Sequence, residues 1–192
     1  MSLGKVILTA TISLSVMGQA HGQGVLSGDT RLACEAILCL AAGSPPHECD
    51  PALRRYFSIH EDKPSDTIKA RRRFLEKCPT ANADREMRSL VNAIANAAGR
   101  CQVDALNRNT ISTGGGDGAE IYISNRMPRY CTVYAEHAYT NVGATMPRYV
   151  GVPERGGYWV EAGQYAQALA QYEERIARED AERERMSRMG DV

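Results

Sequence analysis

The chain has 192 residues, 43% of them hydrophobic and 24% charged, and its 23 Lys and Arg balance 23 Asp and Glu. Such a length and composition describe one ordinary folded domain with short appendages, and they exclude collagen-like, low-complexity and disordered classes. Zero net charge argues against bulk electrostatic binding to nucleic acid or to an anionic membrane, while leaving room for a local basic patch.

At the N-terminus, Lys5 precedes an apolar run from Val6 to Met17, and Gly18-Gln19-Ala20 offers the small residues that a signal peptidase reads. This predicts a signal peptide over residues 1–20, with the mature chain starting at His21 after a cut behind Ala20. A spanning anchor needs roughly 20 apolar residues, and this run has about a dozen, so no stable membrane insertion is expected. Export changes the meaning of Cys34, Cys39, Cys49, Cys78, Cys101 and Cys131, because an even set in an oxidising compartment reads as disulfides. Without a Cys-x-x-Cys, a zinc knuckle, thioredoxin-like redox chemistry and covalent haem lose their usual spacing.

Four helices are predicted next. Asp29-Thr30 caps the first, roughly residues 30 to 42, and Gly43 with Pro45-Pro46 ends it. Asp50-Pro51 opens a second over about 51 to 58. Pro64-Ser65 opens a third that runs toward Pro79, with Ile68, Leu75 and Cys78 on one side. A longer fourth helix is expected from about Ala83 to Leu106, with Leu90, Val91, Ile94, Ala98 and Cys101 on one face. Five residues of helix turn through about 500°, so Cys34 and Cys39 stand about 140° apart and cannot bond each other. Cys39–Cys49 is then the shortest closure across the Gly43 to Pro46 turn, Cys34 is left for Cys78, and Cys101 for Cys131.

Beyond residue 110 the texture changes. Thr113-Gly114-Gly115-Gly116-Asp117-Gly118 lacks the Lys-Ser/Thr of a phosphate-binding loop and reads as a turn. Met127-Pro128-Arg129-Tyr130 recurs as Met146-Pro147-Arg148-Tyr149, which suggests equivalent turns leading into equivalent strands. Tyr149 to Val152 and Tyr158 to Val160 flank a Pro-Gly punctuation and predict a small two-stranded β element. From about Gln164 to Met189 the chain is helical again. Tyr165, Leu169, Tyr172 and Ile176 should pack on the body, and the Glu/Arg-rich part beyond Ile176 should project into solvent or meet a partner. The expected fold class is therefore mainly α: a disulfide-braced helical domain over residues 29–176, with a small β-hairpin, a C-terminal helix and a charged helical tail over 177–192.

Groups that carry chemistry are scattered. His47-Glu48-Cys49-Asp50 and His60-Glu61-Asp62 resemble metal-ligand clusters but lie in loops and lack the His-x-x-x-His spacing of a helical site, so no metal and no cofactor is assigned. Glu136-His137 could form an acid–base pair for an envelope enzyme such as a peptidoglycan-modifying hydrolase, although a structural histidine explains the pair as well. Arg54, Arg55, Arg71, Arg72 and Arg73, with Lys69, form the densest basic feature and a candidate contact surface.

The segment Ala33-Cys34-Glu35-Ala36-Ile37-Leu38-Cys39-Leu40, the Pro-x-x-Cys-x-Pro of Pro46 to Pro51, and Arg55-Tyr56-Phe57-Ser58-Ile59 carry a family likeness. So do Asp66 to Arg71 leading to Phe74-Leu75-x-x-Cys78-Pro79, Gly99-Arg100-Cys101, His137-Ala138-Tyr139-Thr140, Pro147 to Gly151 and Tyr158-Trp159-Val160-Glu161. Together they resemble the TrbM/KikA conjugal transfer family from about Gly28 to Ile176. The resemblance implies an exported periplasmic protein of plasmid mating-pair formation, associated with type IV secretion, whose partners are protein components of the transfer apparatus. Direct nucleic-acid binding is not expected. Two classes remain open at this point, an assembly factor acting by protein binding and an envelope enzyme using Glu136 and His137.

Overall fold

The computed structural model describes residues 26–113 and 119–190. The expected signal segment and its cut after Ala20 lie outside these residues, as does most of the glycine-rich turn. Helix α1 (Gly28–Ala41) turns Ala33, Ala36, Ile37, Cys39 and Leu40 inward, the 3–4 residue recurrence that the sequence displays. It starts two residues before Thr30, so Asp29 is no cap and its carboxylate is free for other elements. Helix α2 (Asp50–Phe57) has Pro51 in its first turn and buries Ala52 and Tyr56. Helix α3 (Pro64–Leu75) buries Thr67, Phe74 and Leu75. The Thr67 hydroxyl accepts from the Glu61 N–H at 2.9 Å and donates to the Glu61 carbonyl at 3.2 Å, tying the preceding loop to the helix.

The expected long fourth helix is two helices. Helix α4 (Arg85–Ala97) ends at Ala98, and α5 (Val103–Asn107) begins after a turn. Gly99 explains the break, since its φ of 82° is left-handed and ends a helix at the position glycine favours. The apolar recurrence runs on through the turn because Ala98 and Cys101 remain buried there, so periodicity conceals the interruption.

Strands β1 (Thr110–Thr113) and β2 (Glu120–Ile123) pair antiparallel, with Thr110 opposite Ile123, and form a hairpin that the sequence reading did not predict. The two Met-Pro-Arg-Tyr copies diverge. The first leads into helix α6 (Arg129–Ala135), whereas the second leads into strand β3 (Arg148–Val150), which pairs antiparallel with β4 (Tyr158–Val160) as expected. The residues after each copy decide the difference: Cys131-Thr132-Val133-Tyr134-Ala135 continues as a helix, while Gly151 has a φ of 78° that stops the strand. A Cβ at Gly151 would fall inside the Tyr172 ring of helix α7 (Tyr165–Gly190), so the closeness of α7 to the hairpin requires glycine.

Three disulfides brace the body: Cys34–Cys78 between α1 and the segment after α3, Cys39–Cys49 across the turn before α2, and Cys101–Cys131 between the turn after α4 and α6. The main core gathers Ile37, Tyr56, Leu75, Ile94, Leu106 and Trp159, and a second small cluster holds Val150, Val160, Ala168 and Tyr172 under α7. Contact with α7 extends a turn past Ile176 through polar groups. Arg155 bonds both carboxylate oxygens of Asp180, at 2.7 and 3.1 Å, and Arg175 donates to the Arg155 carbonyl at 2.8 Å. From Ala181 to Met189 the helix is exposed. Among the described residues no helix is long and apolar enough to cross a membrane.

Candidate functional site

The basic residues singled out in the sequence do not form one free surface. Arg55 makes a two-bond pair with Asp29, at 3.0 and 3.1 Å, and its guanidinium lies 5.0 Å from the Phe74 ring. Lys77 reaches the same carboxylate at 2.5 Å. Arg55, followed by Lys77, holds the Asp29 carboxyl down to about 2, so α1, α2 and the end of α3 meet at a carboxylate that stays charged. Arg71 donates to the Ile59 carbonyl and to the Ala98 carbonyl, both at 3.2 Å, with its guanidinium 5.0 and 5.5 Å from the Tyr56 and Phe57 rings. It therefore satisfies a carbonyl that the end of α4 leaves unpaired. Arg54 and Arg72 lie in loose pairs one turn away, 3.8 Å from Asp50 and 3.6 Å from Glu76, and Arg73 is exposed.

Arg71 is consequently a fold residue, and the expected results separate it from its neighbours. Arg71→Ala should cost about 2–3 kcal/mol of stability, since charged hydrogen bonds to two carbonyls are lost. Arg72→Glu with Arg73→Glu should stay within about 0.5 kcal/mol. Urea unfolding followed by circular dichroism distinguishes them, and equal midpoints for the two variants would remove the scaffold role of Arg71.

Among the described residues Glu136 and His137 share no hydrogen bond. Glu136 is exposed at the end of α6, and His137 uses Nδ1 to accept the Tyr139 N–H at 3.2 Å while its ring meets that of Tyr139 edge-on. Among the described residues no three His, Cys, Asp or Glu side chains converge as metal ligands, the two loop clusters included.

A different face gathers cations without ion-pair partners, two of which, Arg88 and Arg100, donate to the Asn82 and Asn96 carbonyls at 3.1 and 2.9 Å. Cys131 and Tyr134 turn inward from α6, the first bonded to Cys101 and the second donating its hydroxyl to the Leu40 carbonyl. Burial pushes that phenol up to about 12, so it stays a neutral donor. Anchored this way, α6 lies along α4 and leaves between them an open groove of about 620 Å³, which includes Arg85, Arg88, Asn92, Asn96, Arg129, Tyr130 and Val133 in its lining. Tyr130 also lines a neighbouring cleft of about 540 Å³ with Arg100, Arg108, His60, Glu61 and Asp62. The Arg100 guanidinium sits 4.0 Å from the centre of the Tyr130 ring and joins the two. None of Arg85, Arg88, Arg100, Arg108 and Arg129 forms an ion pair among the described residues, whose arginine pairs all lie elsewhere.

The sequence reading missed this face, although one signal was available. Arg85 and Arg88 open α4 and Arg129 opens α6, at the helix ends where the macrodipole disfavours cations. The family model described as TrbM matches residues 25–173. No curated protein and no solved structure matches the chain.

Proposed function

The chain belongs to the TrbM family and is thereby a conjugation-related protein, and from that premise we propose that it is a periplasmic accessory or assembly factor of the type IV secretion apparatus that acts by binding proteins. The observation that carries the binding role is the convergence of five arginines without ion-pair partners on one open face of a chain whose net charge is zero. Cations without ion-pair partners on a rigid surface steer and orient an oppositely charged partner more than they stabilise their own fold. Three disulfides support export to an oxidising compartment, where they form and persist. They also preorganise the face, which lowers the entropy lost on docking. Arg54, Arg72, Arg73 and the exposed end of α7, where Met186 and Met189 project, are secondary contact regions.

The test is in-cell crosslinking of the exported chain during mating, together with transfer frequencies for two variants. Adducts with other conjugation proteins, and normal transfer by a Glu136→Gln, His137→Asn double variant, are the expected results. A chain that forms no adducts while that double variant, normally folded, abolishes transfer would replace the binding role with an enzymatic one.

A further inference from the structure

We propose that the α4–α6 groove is a peptide-docking site for an extended acidic segment of a protein partner, an inference that rests on the binding role above and names its site. The side chains along the α4 wall follow one face of the helix: Arg85, Arg88, Asn92 and Asn96 recur every three or four residues. This stripe is about 16 Å long at helical rise, which matches about five residues of extended chain. Cations stand at both of its ends. Arg85 and Arg88 supply cations at the start of α4, and Arg129, two residues before the Cys131 that is bonded to Cys101 beyond the end of α4, supplies one toward the other end.

No carboxylate lines the groove, and Asp84, the neighbouring N-cap, is engaged by the Met87 N–H at 2.8 Å. None of Arg85, Arg88 and Arg129 has an ion-pair partner among the described residues, so their charge is open to carboxylates from outside. Between them, the Asn92 amide offers a donor and an acceptor and the Asn96 amide, whose Nδ2 already donates to the Asn92 carbonyl at 2.8 Å, offers its oxygen, groups that complement a peptide main chain. Val133, 48% exposed, and Ala93 provide an apolar patch between the helices for one aliphatic side chain. Charge at both ends, amides along the wall between them and an apolar seat together fit an acidic peptide. A phosphate polymer would use the arginines and leave the other two features idle. This face is separate from Arg54, Arg72 and Arg73, which lie on α2 and α3.

The probe is a fluorescein-labelled peptide, Asp-Glu-Leu-Glu-Asp, titrated against the full disulfide-bonded chain by anisotropy at about 50 mM salt, where screening is weak. Its amide counterpart, Asn-Gln-Leu-Gln-Asn, a single-stranded oligonucleotide and phosphatidylglycerol vesicles run in parallel. The acidic peptide should bind saturably and at least about tenfold more tightly than its amide counterpart, and Arg88→Glu with Arg129→Glu should weaken it by about tenfold or more. Arg72→Glu with Arg73→Glu should leave it within about twofold. A photoreactive residue at Val133, an exposed position that spares the fold, should crosslink the acidic peptide. Equal binding of the amide peptide, indifference to the Arg88 and Arg129 changes, or tighter Arg88- and Arg129-dependent binding of the oligonucleotide or vesicles would each overturn the proposal. In cells, adducts that persist in the Arg88→Glu, Arg129→Glu variant would keep the binding role and remove the groove from it. Peptide binding without cellular adducts would keep the groove and remove the role.

Discussion

Replacing Cys34 and Cys78 together with alanine should lower the melting temperature by about 8–16 °C, the largest effect of any disulfide in this chain. The bridge closes a sequence separation of 44, against 30 for Cys101–Cys131 and 10 for Cys39–Cys49. Loop-closure entropy then assigns about 4 kcal/mol to the first and about 3 kcal/mol to the last. For a chain of this size each kcal/mol shifts the midpoint by about 2–4 °C. The bridge also joins α1 to the end of α3 where Asp29 already draws in Arg55 and Lys77, so its loss loosens a junction of three helices. Thermal unfolding of the three double-alanine variants, each checked by intact mass, should rank them by loop length. A larger loss from Cys39 and Cys49 than from Cys34 and Cys78 would refute the chain-entropy account.

Trp159→Ala should cost about 3–5 kcal/mol, the range for deleting a buried large aromatic. Trp159 is the only tryptophan, is 5% exposed, and joins three segments. Its indole Nε1 donates to the Ser124 carbonyl at 2.8 Å. Its main chain is held by the Asn107 side chain, which accepts from its N–H at 2.8 Å and donates to its carbonyl at 3.0 Å. Its ring also meets Tyr149 edge-on, with centroids 5.3 Å apart. Trp159→Phe should cost less, about 1–3 kcal/mol, because it keeps most of the apolar volume and leaves the Ser124 carbonyl unpaired. Urea midpoints by circular dichroism measure both. A loss below about 1 kcal/mol for Trp159→Ala would mean that the β3–β4 hairpin lies outside the cooperative unit.

The α4–α6 groove was only partly legible. Arginines in the first turns of two helices were visible as a local anomaly. That Arg85 and Arg129 line one groove depends on Cys101–Cys131 and on Tyr134 reaching Leu40, contacts between segments far apart in the chain. The reverse error arose with Arg71. A run of arginines reads as a solvated or docking surface, yet the two carbonyls that engage Arg71 come from Ile59 and from Ala98, and no local pattern predicts their arrival.

By itself the sequence determined the helical character, the β3–β4 hairpin, the family, and the impossibility of a Cys34–Cys39 bond, because these follow from short-range periodicity, turn chemistry and the angular advance of a helix. Gly99 and the residues after each Met-Pro-Arg-Tyr copy were also local signals, hidden by the continuous apolar recurrence and by the identity of the two copies, whereas tertiary structure alone decided which arginines are left without ion-pair partners. That is set by what packs against each segment: the Ala98 carbonyl draws in Arg71, and carboxylates reach Arg55 and Arg155 but not Arg85, Arg88 or Arg129. Burial and charge compensation depend on neighbours distant in sequence, so local pattern cannot contain them.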